Sequence, residues 1–500
     1  MLTQAAEVFT KPNVDYHALA PELVLVGFVI VLALVDSWKL ERARAVMPAL
    51  AGVGLLAVLV PLVTLAADDA PRVLLGGGYV VDSMALVLKA LFVIAAYVVV
   101  LLSTNYMAEG DYWESEYYTL LLSSVLGMLV MASSRDLIGI FVAFELLSIP
   151  SYMLGSWRKG DLKSNEAGLK YYLMGVFATG ILLYGMSLAY GLGGSTNLEV
   201  IGERIAAMGS DGVPVVTLAL LFVIIGFGFK VSAVPFHMWA PDTYEGAPTP
   251  VTAFLAVSSK AAGFVALIAV TYFAFIVRTD VIQPAFFVLS AASMTVGNLI
   301  AIRQTNVIRM LAYSGIAQAG FMLAPFAVAG SNPEQSLQAV VTYLVIYAAM
   351  NLGAFASIIA ISRRTRSAEL SDLGGLFTYM PGLTTVFTLF LASLIGIPPL
   401  GGWWAKFGVF ASLVNANTAL GWALAIIMAL NTAIAAYYYL AVARAMWLDD
   451  VPEGADVSPM RTPVSLGFAL VVTLVATVLF GVLPQVVNDA TSFGVVASGG

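Results

Sequence analysis

No cysteine occurs among the 500 residues, which excludes disulfides, thiolate metal sites and cysteine-ligated iron–sulfur clusters. Charge is scarce: 11% of the residues are Asp, Glu, Lys or Arg, against about 25% in soluble domains. Only two histidines are present, and no set of His, Asp and Glu has metal-ligand spacing. There is no basic stripe, so the net charge of −7 gives no sign of a nucleic-acid partner. The glycine run at 76–78 is read as following no strand and opening no helix, which removes a phosphate-binding loop. No nucleophile triad or nucleotide motif is found. The first residues, MLTQAAEVFTKPNVDYH, lack the basic start and apolar run of a cleavable signal.

What remains is apolar: 60% of the chain is hydrophobic. A membrane span needs about 20 mostly apolar residues. Such windows lie near 19–38, 46–67, 81–105, 115–133, 136–157, 166–192, 213–237, 249–272, 281–302, 305–328, 334–361, 381–412, 420–446 and 463–484. The expected fold is therefore all-α and polytopic, with about fourteen transmembrane helices in one membrane domain of residues 1–500. The connections are short and leave no room for a soluble domain, so the lipid bilayer is the first partner implied.

Lys and Arg set the orientation. With the N-terminus outside, thirteen basic residues adjoin inside loops, among them Lys39, Arg42, Arg44, Arg158, Arg309 and Arg363. Five (Lys11, Arg72, Arg135, Arg204 and Arg278) fall outside. An even number of spans returns the C-terminus to the outer face.

The five basic residues left over are Lys89, Lys170, Lys230, Lys260 and Lys406, all lysines and all within spans. A lysine at the bilayer centre costs roughly 2.5–3.5 kcal/mol on insertion scales, so it persists where it faces protein or a wet cavity. Lysine gives up its proton when desolvated and arginine does not. Buried lysines without arginine suit proton exchange better than voltage sensing. The clearest intramembrane acid is Glu145, near the middle of the fifth span. Each member of a buried Glu/Lys pair would set the proton affinity of the other. Lys170 lies about one turn into its span and is open to snorkelling. Lys89 lies toward the outer end of its span, where it snorkels or pairs with Asp82. Acids near span ends (Glu22, Asp36, Glu116 and Glu166) read as interfacial.

Two spans carry helix breakers beside a buried lysine. The seventh has Gly226 and Gly228 before Lys230 and Pro235 and His237 after it; the twelfth has Pro398, Pro399, Gly401 and Gly402 before Lys406. Proline frees a backbone carbonyl that lipid cannot satisfy. Similarly broken spans in two halves mark an inverted-repeat transporter. The offset of five spans predicts two inverted five-helix repeats, spans 4–8 (115–272) and 9–13 (281–446). Helices 1–3 (1–114) precede them and a final helix (463–484) follows. His237 titrates near neutrality and suits a proton relay.

The stretch KVSAVPFHMWAPDTYEGAPTPVTAFLAVSSKAAGF, from Lys230 to Phe264, resembles the antiporter-like subunits of respiratory complex I, the proton-pumping NADH:quinone oxidoreductase. The continuation SSKAAGF is the form seen in subunit N. FELLSIPSY around Glu145, EAGLKYYLMG around Lys170, LAYSGIAQAG at 311–320 and GIPPLGGWWAKF ending past Lys406 match the same family. Lysine at 406 is unlike subunit M, and the chain lacks the long lateral helix of subunit L. The resemblance implies that Glu145 pairs with Lys230, that Lys260 is the central base and that Lys406 lies toward the outer half-channel. Lys170 and His237 would link these groups. It implies no cofactor in this chain, with NADH, FMN, iron–sulfur clusters and quinone bound elsewhere in the complex. Its partners would be other membrane-arm subunits, including a neighbouring antiporter-like one, in the cell inner membrane. The nearest rival readings are a subunit of a multi-subunit cation/proton antiporter and a scaffold that moves no protons.

Overall fold

The computed structural model describes residues 14–37, 41–68, 70–109, 115–208, 213–458 and 461–493, with residues 41–45 and 115 described at the backbone alone. Lys11 and Lys39 fall outside the described residues, and the side chains of Arg42 and Arg44 with them.

The chain opens with α1 (Ala20–Ser37) and α2 (Glu41–Ala66), then a short hairpin of β1 (Arg72–Leu74) and β2 (Tyr79–Val81), then α3 (Ser83–Glu109). There follow α4 (Ser115–Ser133), α5 (Leu137–Gly155), α6 (Leu162–Gly193), α7 (Leu198–Ala207), α8 (Val213–Lys230), α9 (Trp239–Gly246), α10 (Thr249–Phe254) and α11 (Lys260–Val270). The second half holds α12 (Thr279–Ala301), α13 (Val307–Leu323), α14 (Pro333–Thr365), α15 (Leu376–Tyr379), α16 (Pro381–Ile395), α17 (Gly401–Asn415), α18 (Ala419–Leu448), α19 (Val464–Val482) and α20 (Gln485–Ala490). Thirteen helical segments among the described residues are long and apolar enough to cross a membrane. The twelfth expected span is absent from that set because it is two half-helices, α16 and α17, joined through residues 396–400.

Local chemistry sets the boundaries. Asp136 accepts from the backbone N–H groups of Ile138 and Gly139 and so caps α5. Asn306 does the same for α13 through Ile308 and Arg309, satisfying donors that a helix start leaves open. The seventh span departs from its expected extent of 213–237: helix α8 stops at Lys230, and Pro235 and His237 lie in the break before α9. Ser232 takes a left-handed φ of 60° there, which ends the helical run. Trp239 Nε1 donates to the Phe229 carbonyl at 2.9 Å, pinning the two ends of the break together.

Three further features bear on the reading of the sequence. Residues 76–78 do follow a strand: they turn the hairpin, with φ of 64° and 87° at Gly76 and Gly77, and lead into β2. The connection at 193–212 contains the short helix α7, whose buried Leu198, Ile201 and Ile205 dock it on the domain. Glu22, near the start of α1, is buried within the protein, and Lys89 makes no ion pair with Asp82 among the described residues. Lys89 is fully buried, ion-paired with Glu22 at 2.8 Å and donating to the Tyr79 hydroxyl at 3.1 Å. Asp82 is taken by Arg135 at 3.1 Å. The pair ties α1, α3 and the hairpin together.

Span 8 (α10, α11 and the π-helical turns around α11) is buried along its whole length, and α13 and α14 nearly so. They form the centre of the molecule. Helices α1, α2 and α19 lie at the periphery and expose Ile30, Leu34, Val60, Val63, Val471 and Val475, as lipid-facing helices do.

Candidate functional site

On α5, Glu145, Ser148 and Tyr152 recur at i, i+3 and i+7 and share one face. Lys230 ends α8 opposite that face, 1% exposed. Its Nζ donates to Ser148 Oγ at 2.9 Å and to the Tyr171 hydroxyl of α6 at 3.2 Å. The rings of Phe144, Tyr152 and Tyr171 surround the ammonium at 5.4–5.9 Å, close enough for cation–π attraction.

Glu145 does not contact Lys230 directly. No ion pair joins them among the described residues, because the amine is turned toward Ser148, one turn along α5. The half-buried carboxylate instead accepts from Thr179 Oγ1 at 3.1 Å. Between the two lies Tyr152, its buried hydroxyl near Ser148 and Thr179 but without a hydrogen-bond partner. That position exists because residue 175 is glycine: a Cβ there would stand 2.2 Å from the Tyr152 oxygen. Thr179, Tyr152 and Ser148 thus lie between the carboxylate and the amine, with Thr179 bonded to the first and Ser148 to the second.

Tyr171 continues the line. Its ring stacks on Trp239 at 4.4 Å, and its hydroxyl lies near Ser259, whose buried Oγ makes no hydrogen bond. Ser259 closes a π-helical turn, Leu255–Ser259, directly before Lys260. Such turns occur mostly at functional positions, since they re-aim the next side chain. Lys260, 1% exposed, donates to the Gly315 carbonyl at 2.6 Å. A Cβ on Gly315 would lie 3.1 Å from Lys260 Nζ and 3.3 Å from the Tyr347 hydroxyl, so amine and hydroxyl converge on that glycine.

On α13, Ser314, Gln318 and Phe321 share a face. Ser314 hydrogen-bonds the Tyr439 hydroxyl of α18, and Tyr343 of α14 donates to Gln318 Oε1. Gln318 Nε2 donates to the Leu394 carbonyl at 3.1 Å. The neighbouring carbonyl, Ile395, is freed at the end of α16 and accepts from Lys406 Nζ at 2.8 Å. Lys406 is 6% exposed, with its ammonium 4.6 Å from the Phe321 ring centre. The break in span 12 therefore supplies the acceptor for the buried amine.

Polar side chains and freed carbonyls lie along the way from Glu145 through Lys230 and Lys260 to Lys406, and the hydroxyls of Tyr152, Ser259 and Tyr347 on that way are buried without a hydrogen-bond partner. Lys170 stands apart. Its side chain is 43% exposed and paired with Glu166 and Asp242 at 2.7 Å each. Arg309 extends that network, reaching Asp242 at 2.8 Å and Glu245 at 3.0 Å. His237 is half-buried in the break, its Nδ1 buried without a hydrogen-bond partner, and no hydrogen bond or ion pair links it to the lysines. Sequence reasoning missed Thr179, Tyr152, Ser148, Tyr171, Tyr347, Tyr439 and Gln318. The only spacing signals were Glu145, Ser148 and Tyr152 on one face of α5 and Ser314 and Gln318 on one face of α13.

Residues 134–432 match the family described as NADH:quinone oxidoreductase/Mrp antiporter, TM. A relative from Koribacter versatilis, named NADH-quinone oxidoreductase subunit N 1, is 38% identical, the alignment covering 97% of this chain and 96% of the relative. A chain of respiratory complex I from Thermus thermophilus with bound aureothin superposes with a TM-score of 0.78 at 33% identity, covering 94% of this chain and 99% of that one. A chain of the Mrp complex from a Dietzia species has a TM-score of 0.82 at 20% identity, over 96% and 97%, and shares the fold. The chain belongs to the NADH:quinone oxidoreductase/Mrp antiporter transmembrane family, on its NADH-quinone oxidoreductase subunit N branch.

Proposed function

We propose that this chain carries protons across the inner membrane as part of the membrane arm of complex I, driven by NADH oxidation and quinone reduction in other subunits. The observation that carries the reading is the line from Glu145 through Lys230 and Lys260 to Lys406, three amines almost sealed from solvent. A purely structural role would not account for three buried ammonium groups, each opposed by desolvation and none facing a carboxylate within ion-pair distance among the described residues.

Each lysine holds its proton among acceptors that also serve a neutral amine: hydroxyls around Lys230 and carbonyls at Lys260 and Lys406. The lysines thus load and unload without losing their places. A unit charge about 4–8 Å away acts with roughly 2–4 kcal/mol at an effective dielectric of about 20. Changing the charge on Glu145 therefore resets the proton affinity of Lys230 by tenfold or more. The proton then passes by Tyr171 and Ser259 to Lys260, and by Tyr347, Tyr439 and Gln318 to Lys406.

The reading extends to the surroundings. Glu145 is half-buried on α5, and a neighbouring antiporter-like subunit that meets this side of the chain would act on its charge. The hairpin and both termini lie outside, as the distribution of Lys and Arg requires. Residues 115–272 and 281–446 are the two inverted repeats, a division supported by the paired breaks in spans 7 and 12. NADH, FMN and quinone are assigned to other subunits by the family likeness, and so are the iron–sulfur clusters, for which this chain has no cysteine ligand. The test is Lys230→Ala and Glu145→Ala in the assembled complex: NADH-driven proton pumping falls in both. Full pumping in both variants refutes the relay.

A further inference from the structure

A cleft of about 560 Å³ opens where α3, α5 and α14 end and α10 begins, on the face where lysine and arginine gather. Arg158, Arg363 and Arg366 line it together with Glu109, Glu245 and Tyr106. Both acids are already engaged. Glu109 is paired with Arg363 at 2.6 Å, and Glu245 is held by Arg309 at 3.0 Å and Lys163 at 3.8 Å. Two guanidinium groups are left over. Arg158 donates to the Tyr106 hydroxyl and meets Asp161 only at 3.9 Å. Arg366 is exposed and makes no ion pair among the described residues. The Nε atoms of Arg158 and Arg363 are buried in the cleft wall without a hydrogen-bond partner. Unused guanidinium donors in a roomy, partly desolvated cleft are a matched surface for a tetrahedral oxyanion, which takes two parallel N–H bonds from one fork.

We propose that this cleft binds a phosphate group, with Arg158 and Arg366 as its main ligands. Two sources share that chemistry, the headgroup of an anionic phospholipid and free phosphate. Basic pockets between span ends on the cytoplasmic side suit the headgroup, because its chains stay in the bilayer while the phosphate enters the cleft. The site is separate from the proton line, and no residue of that line takes part in it.

The test uses the intact complex in three preparations at matched ionic strength. They are nanodiscs of zwitterionic lipid, nanodiscs containing phosphatidylglycerol, and zwitterionic nanodiscs with added inorganic phosphate. Modification of individual arginines by phenylglyoxal is followed by peptide mass spectrometry, with Arg444, 71% exposed, as the reference. A bound anion slows modification of Arg158 and Arg366 about fivefold or more relative to Arg444. Protection by phosphatidylglycerol alone identifies the headgroup, and protection by phosphate identifies the free ion; either supports the site. Equal modification in all three preparations overturns it. In Arg158→Gln the protection of Arg366 is lost, and in Arg158→Lys it is largely kept. Undiminished protection of Arg366 in Arg158→Gln also overturns the proposal.

Discussion

Replacing Tyr171 with phenylalanine removes one oxygen atom and little else. The ring keeps its stack on Trp239 at 4.4 Å and its edge contact with Tyr152 at 4.7 Å, so packing and assembly are retained. What is lost is the 3.2 Å hydrogen bond from Lys230 and the hydroxyl between that amine and Ser259. A hydrogen bond to a charged group contributes about 1.5–3 kcal/mol. Placed on the barrier to proton transfer, that loss slows the step roughly ten- to a hundredfold. The assay compares NADH-driven acidification of proteoliposomes with quinone reduction in the same preparation. Pumping falls sharply in Tyr171→Phe while NADH oxidation by artificial acceptors at the peripheral arm is unchanged. Tyr117→Phe is the control. Its hydroxyl, also buried, meets Ser103 at 2.8 Å away from the line, and pumping there stays normal. Equal, undiminished pumping in both variants refutes the assignment of Tyr171 to the path.

Gly315→Ala places a methyl group 3.1 Å from Lys260 Nζ and 3.3 Å from the Tyr347 hydroxyl, closer than ordinary contact. The amine must give by a few tenths of an ångström, which strains its 2.6 Å hydrogen bond, and proton-coupled quinone reduction drops while the amount of assembled complex is unchanged. Glu22→Ala strands the fully buried Lys89 and lowers stability by about 3–5 kcal/mol, read as a fall in the melting temperature of the intact complex. Glu22→Leu combined with Lys89→Leu restores most of that loss, and pumping in the double variant is normal, because this pair serves the fold.

The four principal candidate residues stood out because each breaks an apolar run: a lysine or glutamate far from any loop is anomalous in lipid. The breaks in spans 7 and 12 were legible for a similar reason, since proline and glycine inside a span demand a compensating partner. The connecting residues were not. Tyr171, Tyr347 and Gln318 are types that occur in many spans, and only their convergence in space separates them from packing. The direct Glu145–Lys230 pair failed as an expectation because the family pattern gives partners but not rotamers. In this molecule the amine turns to Ser148 and Tyr171. The partner of Lys89 was misjudged for want of tertiary information. Asp82 is its neighbour along the chain, but Arg135 claims it, and Glu22 arrives from α1. The three-residue strands of the hairpin are too short to leave a periodic signal.

Lys260 is buried and has no carboxylate partner among the described residues, and the proposed relay depends on it at the middle of the line. The decisive measurement is the number of protons moved per electron in Lys260→Met, a substitution that keeps the chain length and removes the titration. That ratio falls below the wild-type value if protons travel by this line. An unchanged ratio in a fully assembled, active complex contradicts the account.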